Sequence, residues 1–310
     1  MQAVASAAQD TGPAAGYPRF LTAVAQAQLS AWLQDLAPRN FLIDISGPKA
    51  RTAEVAACAG HRVLRVVDPQ AAPAAPAVGS GYETAGRLAA ITADGTGMEF
   101  LGDGCADGLI AEDRTLSRRL AAEELVTEIA RVLRPGGRVL ACVDSLTYGM
   151  AVLAEQHRWP HLIDVPNADV VLIPWPDGTI TRCYGAEQLR ELFTGGGLEV
   201  SWIRPRTVLS PQTVGYLLAR DPSRFSELVS AELRARSDDS VGNQLIASCV
   251  KPLLAASVSS GHVSPGTGHT WRWPAAPRAA AREPDCRSPR SCRSCRHRSA
   301  PGPRAPRRAA

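Results

Sequence analysis

What most narrows the fold is a change of apolar period that recurs between residues 41 and 143. FLIDI (41–45) is a short β-like run, ARTAEVAACAG (50–60) has helical spacing, and HRVLRVVD (61–68) is a second short run ending in an acid. Strand, helix and strand in so short a span make a βαβ unit, and a βαβ unit needs a parallel sheet covered on both faces. RLAAIT (87–92), ADGLIA (106–111) and GRVLACV (137–143) add three strand candidates. SRRLAAEELVTEIARVL (117–133) reads as a long amphipathic helix with Ser117 in its N-cap region. Arg134, Pro135, Gly136 and Gly137 end that helix, because proline cannot continue it and glycine supplies the positive φ of the turn into the next strand.

The pattern then departs from simple alternation. YGMAVLAEQHRW (148–159) is helical, and VVLIPWPDGTITRCY (170–184) is two strand-like runs around Pro176, Asp177 and Gly178, which predicts a hairpin. GAEQLRELFTGGG (185–197) reads as a helix stopped by glycines, LEVSWIR (198–204) as a strand, PSRFSELVSAELRAR (222–236) as a helix and QLIASCV (244–250) as the last strand. The fold class expected is α/β, a mostly parallel sheet with helices on both faces.

Hydrophobic residues make up 45% of the 310, so a sizeable core is available. Its expected extent is 17–252. Residues 1–16 are Ala-rich without an apolar period and read as a disordered leader. Residues 253–310 are dominated by Arg, Ala, Pro and Ser and read as a disordered tail, or as the composition of a GC-rich gene read out of frame. The tail carries eleven Arg against Glu283 and Asp285, a net +9, so residues 1–252 hold +4 − 9 = −5. An acidic body argues against an extended nucleic-acid surface there, although the tail itself is open to RNA or an acidic partner. No run of about 18 apolar residues and no signal-type start occurs, which makes the cytoplasm the expected location and a membrane an unexpected partner. Cys58, Cys105, Cys142, Cys183 and Cys249 form no Cys-x-x-Cys pair and read as reduced core thiols. Cys286, Cys292, Cys295 and His297 lie close together in the tail but lack apolar surroundings, so no metal is expected.

The order and punctuation of these elements resemble the class I S-adenosylmethionine-dependent methyltransferases over about residues 38–252. EIARVLRPGGRVLACV (128–143) is the most specific stretch, and FLIDISGPKARTAEVAACAGHRVLRVVD (41–68) follows the family's first loop, helix and second strand. The resemblance implies a seven-stranded Rossmann-like sheet whose last strand is antiparallel and lies beside the fifth. It also implies S-adenosylmethionine as cofactor, at the carboxyl ends of the first strands. In residues, it places Asp44 near the methionine amino group, Ser46 and Gly47 in the loop, Asp68 on the ribose hydroxyls, Asp94 and Gly95 at the adenine, and Glu112 and Asp113 at the edge facing the methyl group. This chain departs from the family's glycine-rich run, which here reads Ser46, Gly47, Pro48, Lys49, Ala50. The loop is therefore shifted, or its cofactor affinity is compromised.

Methyl transfer to oxygen or nitrogen needs alignment and a place for one proton. His157, Tyr148 and Asp113 are the candidate catalytic residues, with His161 a further candidate. Either histidine equally suits a helix C-terminus, as Asp44 and Asp94 suit turns or caps. Trp159, Trp175 and Trp202 are candidates for an apolar pocket wall or for plain core. The helix at 148–159 and the hairpin at 170–184 would form part of a lid. The expected substrate is a small molecule or short peptide, in secondary metabolism such as antibiotic biosynthesis. No Asn/Asp-Pro-Pro-aromatic motif of nucleic-acid amino-methylation occurs. Two other readings stand beside this one: a nicotinamide-dependent oxidoreductase, since an acid ending a second strand also suits NAD, and a degenerate methyltransferase fold acting as a non-catalytic partner.

Overall fold

A computed structural model describes residues 16–47, 50–68, 87–93, 97–165, 168, 170–175, 178–235 and 242–253. The proposed leader up to residue 15, the tail beyond 253, and Pro48, Lys49, Asp94 and Gly95 lie outside the described residues.

Five parallel strands form the central sheet: β1 (Phe41–Asp44), β2 (Arg62–Val67), β3 (Leu88–Thr92), β4 (Ala106–Ala111) and β5 (Leu133–Ser145), in the spatial order β3-β2-β1-β4-β5. Two more are β6 (Val171–Pro174) and β7 (Ile180–Tyr184), an antiparallel hairpin whose turn passes Gly178 at φ +86°. Beyond β5 lies β9 (Gln244–Val250), antiparallel to it from Arg138 opposite Val250 to Asp144 opposite Gln244. β8 (Glu199–Arg206) pairs with β9's other edge. The last strand therefore sits beside the fifth, as the resemblance implied. The hairpin adds to the sheet through β7, which runs parallel to the final two residues of β5.

The central strands are buried on both faces, so they read as continuous apolar runs and their side chains sort by alternation. Ile43, Leu109, Val139 and Val143 pack toward α3 (Ala122–Val132) and α6 (Ala186–Gly195). Leu42, Ile110, Leu140 and Ile246 pack toward α1 (Gly16–Gln34) and α2 (Thr52–Cys58). The Leu-Arg-Pro-Gly-Gly segment stays in the ladder: Leu133 pairs with Ala106, the register then shifts, and Gly136 (φ +79°) donates its N–H to Lys251.

Some expectations are corrected. α3 begins at Ala122 rather than near Ser117. The Ser117 hydroxyl instead accepts the Asp144 backbone N–H, and its carbonyl accepts that of Arg182, so the loop after β4 is tied to the ends of β5 and β7. The helix expected over 148–159 is two, α4 (Leu146–Glu155) and α5 (Trp159–Asp164). Ser145 caps α4 by accepting the Tyr148 N–H, and the chain breaks at His157, whose φ is +56°. α7 (Pro211–Arg220), capped by Ser210, and α8 (Phe225–Arg234) complete the fold. Cys142, Cys183 and Cys249 are buried as expected, but Cys58 is exposed and Cys105 is half-buried. Trp159 is 54% exposed, hence not core. Among the described residues no helix is long and apolar enough to cross a membrane, and no cluster able to hold a metal occurs.

Candidate functional site

The carboxyl ends of β1, β2, β4 and β5 converge on one edge of the sheet, where ligands of open α/β folds bind. Asp44 ends β1 fully buried. Its Oδ1 accepts the Ser46 N–H at 2.9 Å and its Oδ2 accepts the Thr52 hydroxyl at 2.7 Å. Burial raises its pKa, against the lowering by these hydrogen bonds. Asp44 thus holds the loop onto α2, as a turn-forming aspartate does. Ser46 is buried too, and its hydroxyl accepts the Glu112 N–H at 3.0 Å, which ties the loop to β4.

At Gly47 the loop is closely approached. A Cβ there would lie 2.1 Å from Asp113 Oδ2 and 3.0 Å from Arg118 Nη1. Asp113 and Arg118 pair at 3.4 Å with side chains 28% and 40% exposed. Asp113 and Arg114 follow β4 in consecutive left-handed conformations, φ +55° and +60°, a backbone state that non-glycine residues adopt at a cost. At the end of β2, Asp68 accepts Arg119 Nη2 at 2.8 Å. Side chains on the loop after β4 therefore reach both Gly47 and Asp68.

Glu112, expected at the cofactor, is engaged elsewhere. Its carboxylate takes both terminal nitrogens of Arg206, at 2.7 and 2.8 Å, with almost no exposure on either partner. Arg206 Nε in turn donates to Gln28 Oε1 of α1 at 2.6 Å. Burial disfavours the charged form of Arg206, but the Glu112 carboxylate outweighs it and raises the pKa. This pair forms one wall of a cavity of about 400 Å³, with Leu21, Ala25 and Leu29 of α1 and Val55 of α2 opposite. That is a volume suited to a small ligand.

Asp144, at the end of β5, was not anticipated. It is fully buried, and Arg114 Nη1 lies 3.3 Å from its Oδ2, while its Oδ1 is buried with no hydrogen-bond partner among the described residues. Burial pushes its pKa up to about 6, against the lowering by Arg114 and Arg118. Tyr148, in the first turn of α4, is half-buried beside it. Burial first, then the Asp144 charge, raises the Tyr148 pKa. The Tyr148 ring lies 6.2 Å from that of Trp175, and the Arg114 guanidinium lies 5.9 Å from the Trp175 ring.

The structure thus brings together Asp44, Ser46, Gly47, Glu112 and Asp113, with Asp68 reached by Arg119 and Tyr148 beside Asp144. It does not bring His157 to them. That residue is exposed beyond the far end of α4, nine residues from Tyr148 and so roughly 13 Å along the axis. Its N–H caps the helix on Ala154 O, and His161 is exposed on α5. Trp202 is partly buried against the α1 and α2 face of the core, and Trp175 donates its indole N–H to Thr181.

No protein-family model matches the chain, and no curated protein matches it. Solved structures do. The (4+2)-cyclase SpnF is 18% identical with a TM-score of 0.50, over 74% of this chain and 82% of its own. The complex of the Haloferax volcanii Trm112 methyltransferase activator with a methyltransferase matches at 16% identity and a TM-score of 0.49, over 77% and 92%. The Burkholderia thailandensis 1,6-didemethyltoxoflavin N1-methyltransferase, with its substrate and S-adenosylhomocysteine bound, matches at 16% and 0.46, over 81% and 93%. The strand order and the antiparallel strand between β5 and β8 are those of the class I methyltransferase fold, and this chain has that fold.

Proposed function

We propose that the chain binds S-adenosylmethionine at the carboxyl edge of β1, β2 and β4, and transfers its methyl group to an oxygen or nitrogen of a small molecule or short peptide. One observation carries this reading. At Gly47 the Asp113 carboxylate comes so close that a Cβ would lie 2.1 Å from its Oδ2, and the Arg118 guanidinium stands beside it, 3.0 Å from the same point. The methionine end of the cofactor is a zwitterion, and Asp113 and Arg118 offer its two charges their complements. Their mutual pair is partly exposed and worth at most about 1 kcal/mol, so it opens readily to a ligand. The residues present therefore fit the group. Asp68 accepts the ribose hydroxyls once Arg119 gives way, and Asp94 with Gly95 is assigned to the adenine. Ser46 and Gly47 form the loop, while Asp44 and Glu112 support it from behind.

When bound, the cofactor supplies an activated methyl group on a sulfonium. The chain's own work is to exclude water, through α1 above and α4 with the β6–β7 hairpin beside, and to hold the acceptor in line. Tyr148 lines the acceptor side. A second reading, a fold that binds the cofactor without transferring a methyl, is favoured by the commitment of Glu112 to Arg206, which leaves that carboxylate no part in the reaction.

The test is calorimetric binding of S-adenosylmethionine and S-adenosylhomocysteine to the full chain, with NADH as control and Asp68→Ala as the variant. Micromolar affinity for both sulfur ligands, weakened in the variant and absent for NADH, is expected. Binding of NADH alone would replace the reading with a nicotinamide enzyme, and binding of none of the three would leave a non-catalytic fold.

A further inference from the structure

Five buried side-chain nitrogen or oxygen atoms lack a hydrogen-bond partner among the described residues, on Glu54, His61, Asp144, Gln156 and Tyr184. Two are carboxylate oxygens, and they differ in setting. The Glu54 side chain is 27% exposed and shares its charge with Arg65, whereas that of Asp144 is 1% exposed and ends β5 on the ligand edge of the sheet. A buried carboxylate oxygen without a donor is costly, and a fold has every physical reason to lose it unless a donor arrives from outside.

The surroundings fix which oxygen is left over. Ser117 holds the Asp144 backbone N–H, Arg114 holds Oδ2, and Oδ1 remains. The charged and titratable groups that interact with it are Asp113, Arg114 and Arg118 from the loop after β4, Tyr148 from α4, Cys183 from β7 and Cys142 from β5 itself; β9 places the uncharged Gln244 opposite it. Arg114, Tyr148 and Trp175 stand around the same point as two rings and a planar cation. Gln244 also lines the cavity that Glu112 and Arg206 wall.

We infer that Asp144 Oδ1 is the atom that recognises the methyl acceptor, through a hydrogen on the heteroatom to be methylated, and that the acceptor is accordingly a hydroxyl or an amine carried on a flat ring. This rests on the methyl-transfer reading above. In the transfer, the acceptor lone pair forms the new bond to the methyl carbon. The sulfur–carbon bond breaks with its electron pair remaining on sulfur, and the acceptor's proton passes to Asp144 Oδ1. With a folded-state pKa near 6, Asp144 is in its accepting form at neutral pH. A carboxylate acceptor is disfavoured, since it would bring like charge to the same oxygen with no hydrogen to donate.

The test uses matched probes on the full chain in the presence of S-adenosylhomocysteine: phenol against anisole, and aniline against N,N-dimethylaniline. The readout is the carbon-13 carboxyl resonance of Asp144, assigned by its loss in Asp144→Asn. The expected result is a shift of that resonance, and of its titration midpoint, by phenol or aniline and not by the methylated counterpart. A response to phenol alone assigns a hydroxyl acceptor, and to aniline alone an amine. Equal effects within both pairs, including none at all, overturn the proposal. Where a probe is methylated, Asp144→Asn lowers kcat by about a hundredfold and removes the acid limb near pH 6, whereas Asp144→Glu keeps that limb. Unchanged turnover in Asp144→Asn also overturns it. Calorimetry of S-adenosylmethionine on the same samples separates the two claims: loss of that binding sinks the methyl-donor reading, while the probe response still reports on Asp144 alone.

Discussion

Asp144 and Glu112 end neighbouring strands as buried carboxylates, and their partners give them opposite consequences for stability. Glu112 has a bidentate guanidinium on both oxygens, so its burial is compensated while Arg206 remains. Replacing Arg206 with Met strands that charge, and the expected loss is about 3–5 kcal/mol, read as a lower urea midpoint. The double variant Arg206→Met with Glu112→Gln is expected to recover much of it. Asp144 has one longer contact and, among the described residues, no donor on its other oxygen. Its folded pKa, about 6, lies above the unfolded 3.8, so between these values the native state holds more proton than the unfolded chain. Its contribution therefore becomes unfavourable as pH rises from about 4 through 6, by roughly 3 kcal/mol at neutral pH. Asp144→Asn should consequently be more stable than the parent at pH 7.5 and no more stable at pH 4, a difference that paired urea titrations read directly. A variant losing stability equally at both pH values would show that the carboxylate is not strained by burial.

At the level of elements, the loop between β4 and α3 does most to shape the ligand edge. It carries two consecutive left-handed residues, places Asp113 and Arg118 before Gly47 and puts Arg119 on Asp68. If Arg119 competes with a ribose for Asp68, Arg119→Ala should tighten S-adenosylmethionine binding by up to about fivefold, the worth of a partly exposed ion pair. Gly47→Ala should weaken it, because the added methyl displaces Asp113 and narrows the same space. Weaker binding in Arg119→Ala would instead make the arginine a ligand contact. The strands around this loop were readable because burial on both faces leaves an uninterrupted apolar run, and the hairpin because glycine at φ +86° marks its turn. The start of α3 was misread, since Ser117 has the composition of a cap but spends its hydroxyl on β5. α1 was not read as a helix, because alanine and glutamine recur on every side of GYPRFLTAVAQAQLSAWLQ and blur its apolar stripe. Glu112 was legible as a strand-ending acid but not as half of an ion pair, whose other half lies 94 residues on. Asp144 does carry a signal: Val143-Asp144 repeats the apolar-then-acid ending of Val67-Asp68, one residue beyond the apolar run GRVLACV (137–143).

For the whole molecule, the position of β9 decides how much chain the fold requires. β9 is interior, bonded to β5 on one side and β8 on the other, with five consecutive buried residues. Lys251, just past it, still closes the sheet: its N–H donates to Gly137, its carbonyl accepts from Gly136 and its ammonium caps Leu133 O at 2.8 Å. A chain ending at residue 253 keeps all of these contacts, so residues 16–253 are expected to melt cooperatively and to bind S-adenosylmethionine within about twofold of the full chain. A chain ending at Asn243 loses the strand between β5 and β8, exposes the edge of each and drops Leu245, Ile246 and Ala247 from the core. It should show no cooperative transition by circular dichroism. The charge division gives the same pair of chains a second use. Residues 1–252 carry −5 and the remainder +9, so any affinity of the full chain for single-stranded RNA should fall steeply with salt and vanish in 16–253. RNA binding that survives the cut would place the cationic surface on the folded body, against its net charge, and would return a nucleic acid to the list of methyl acceptors.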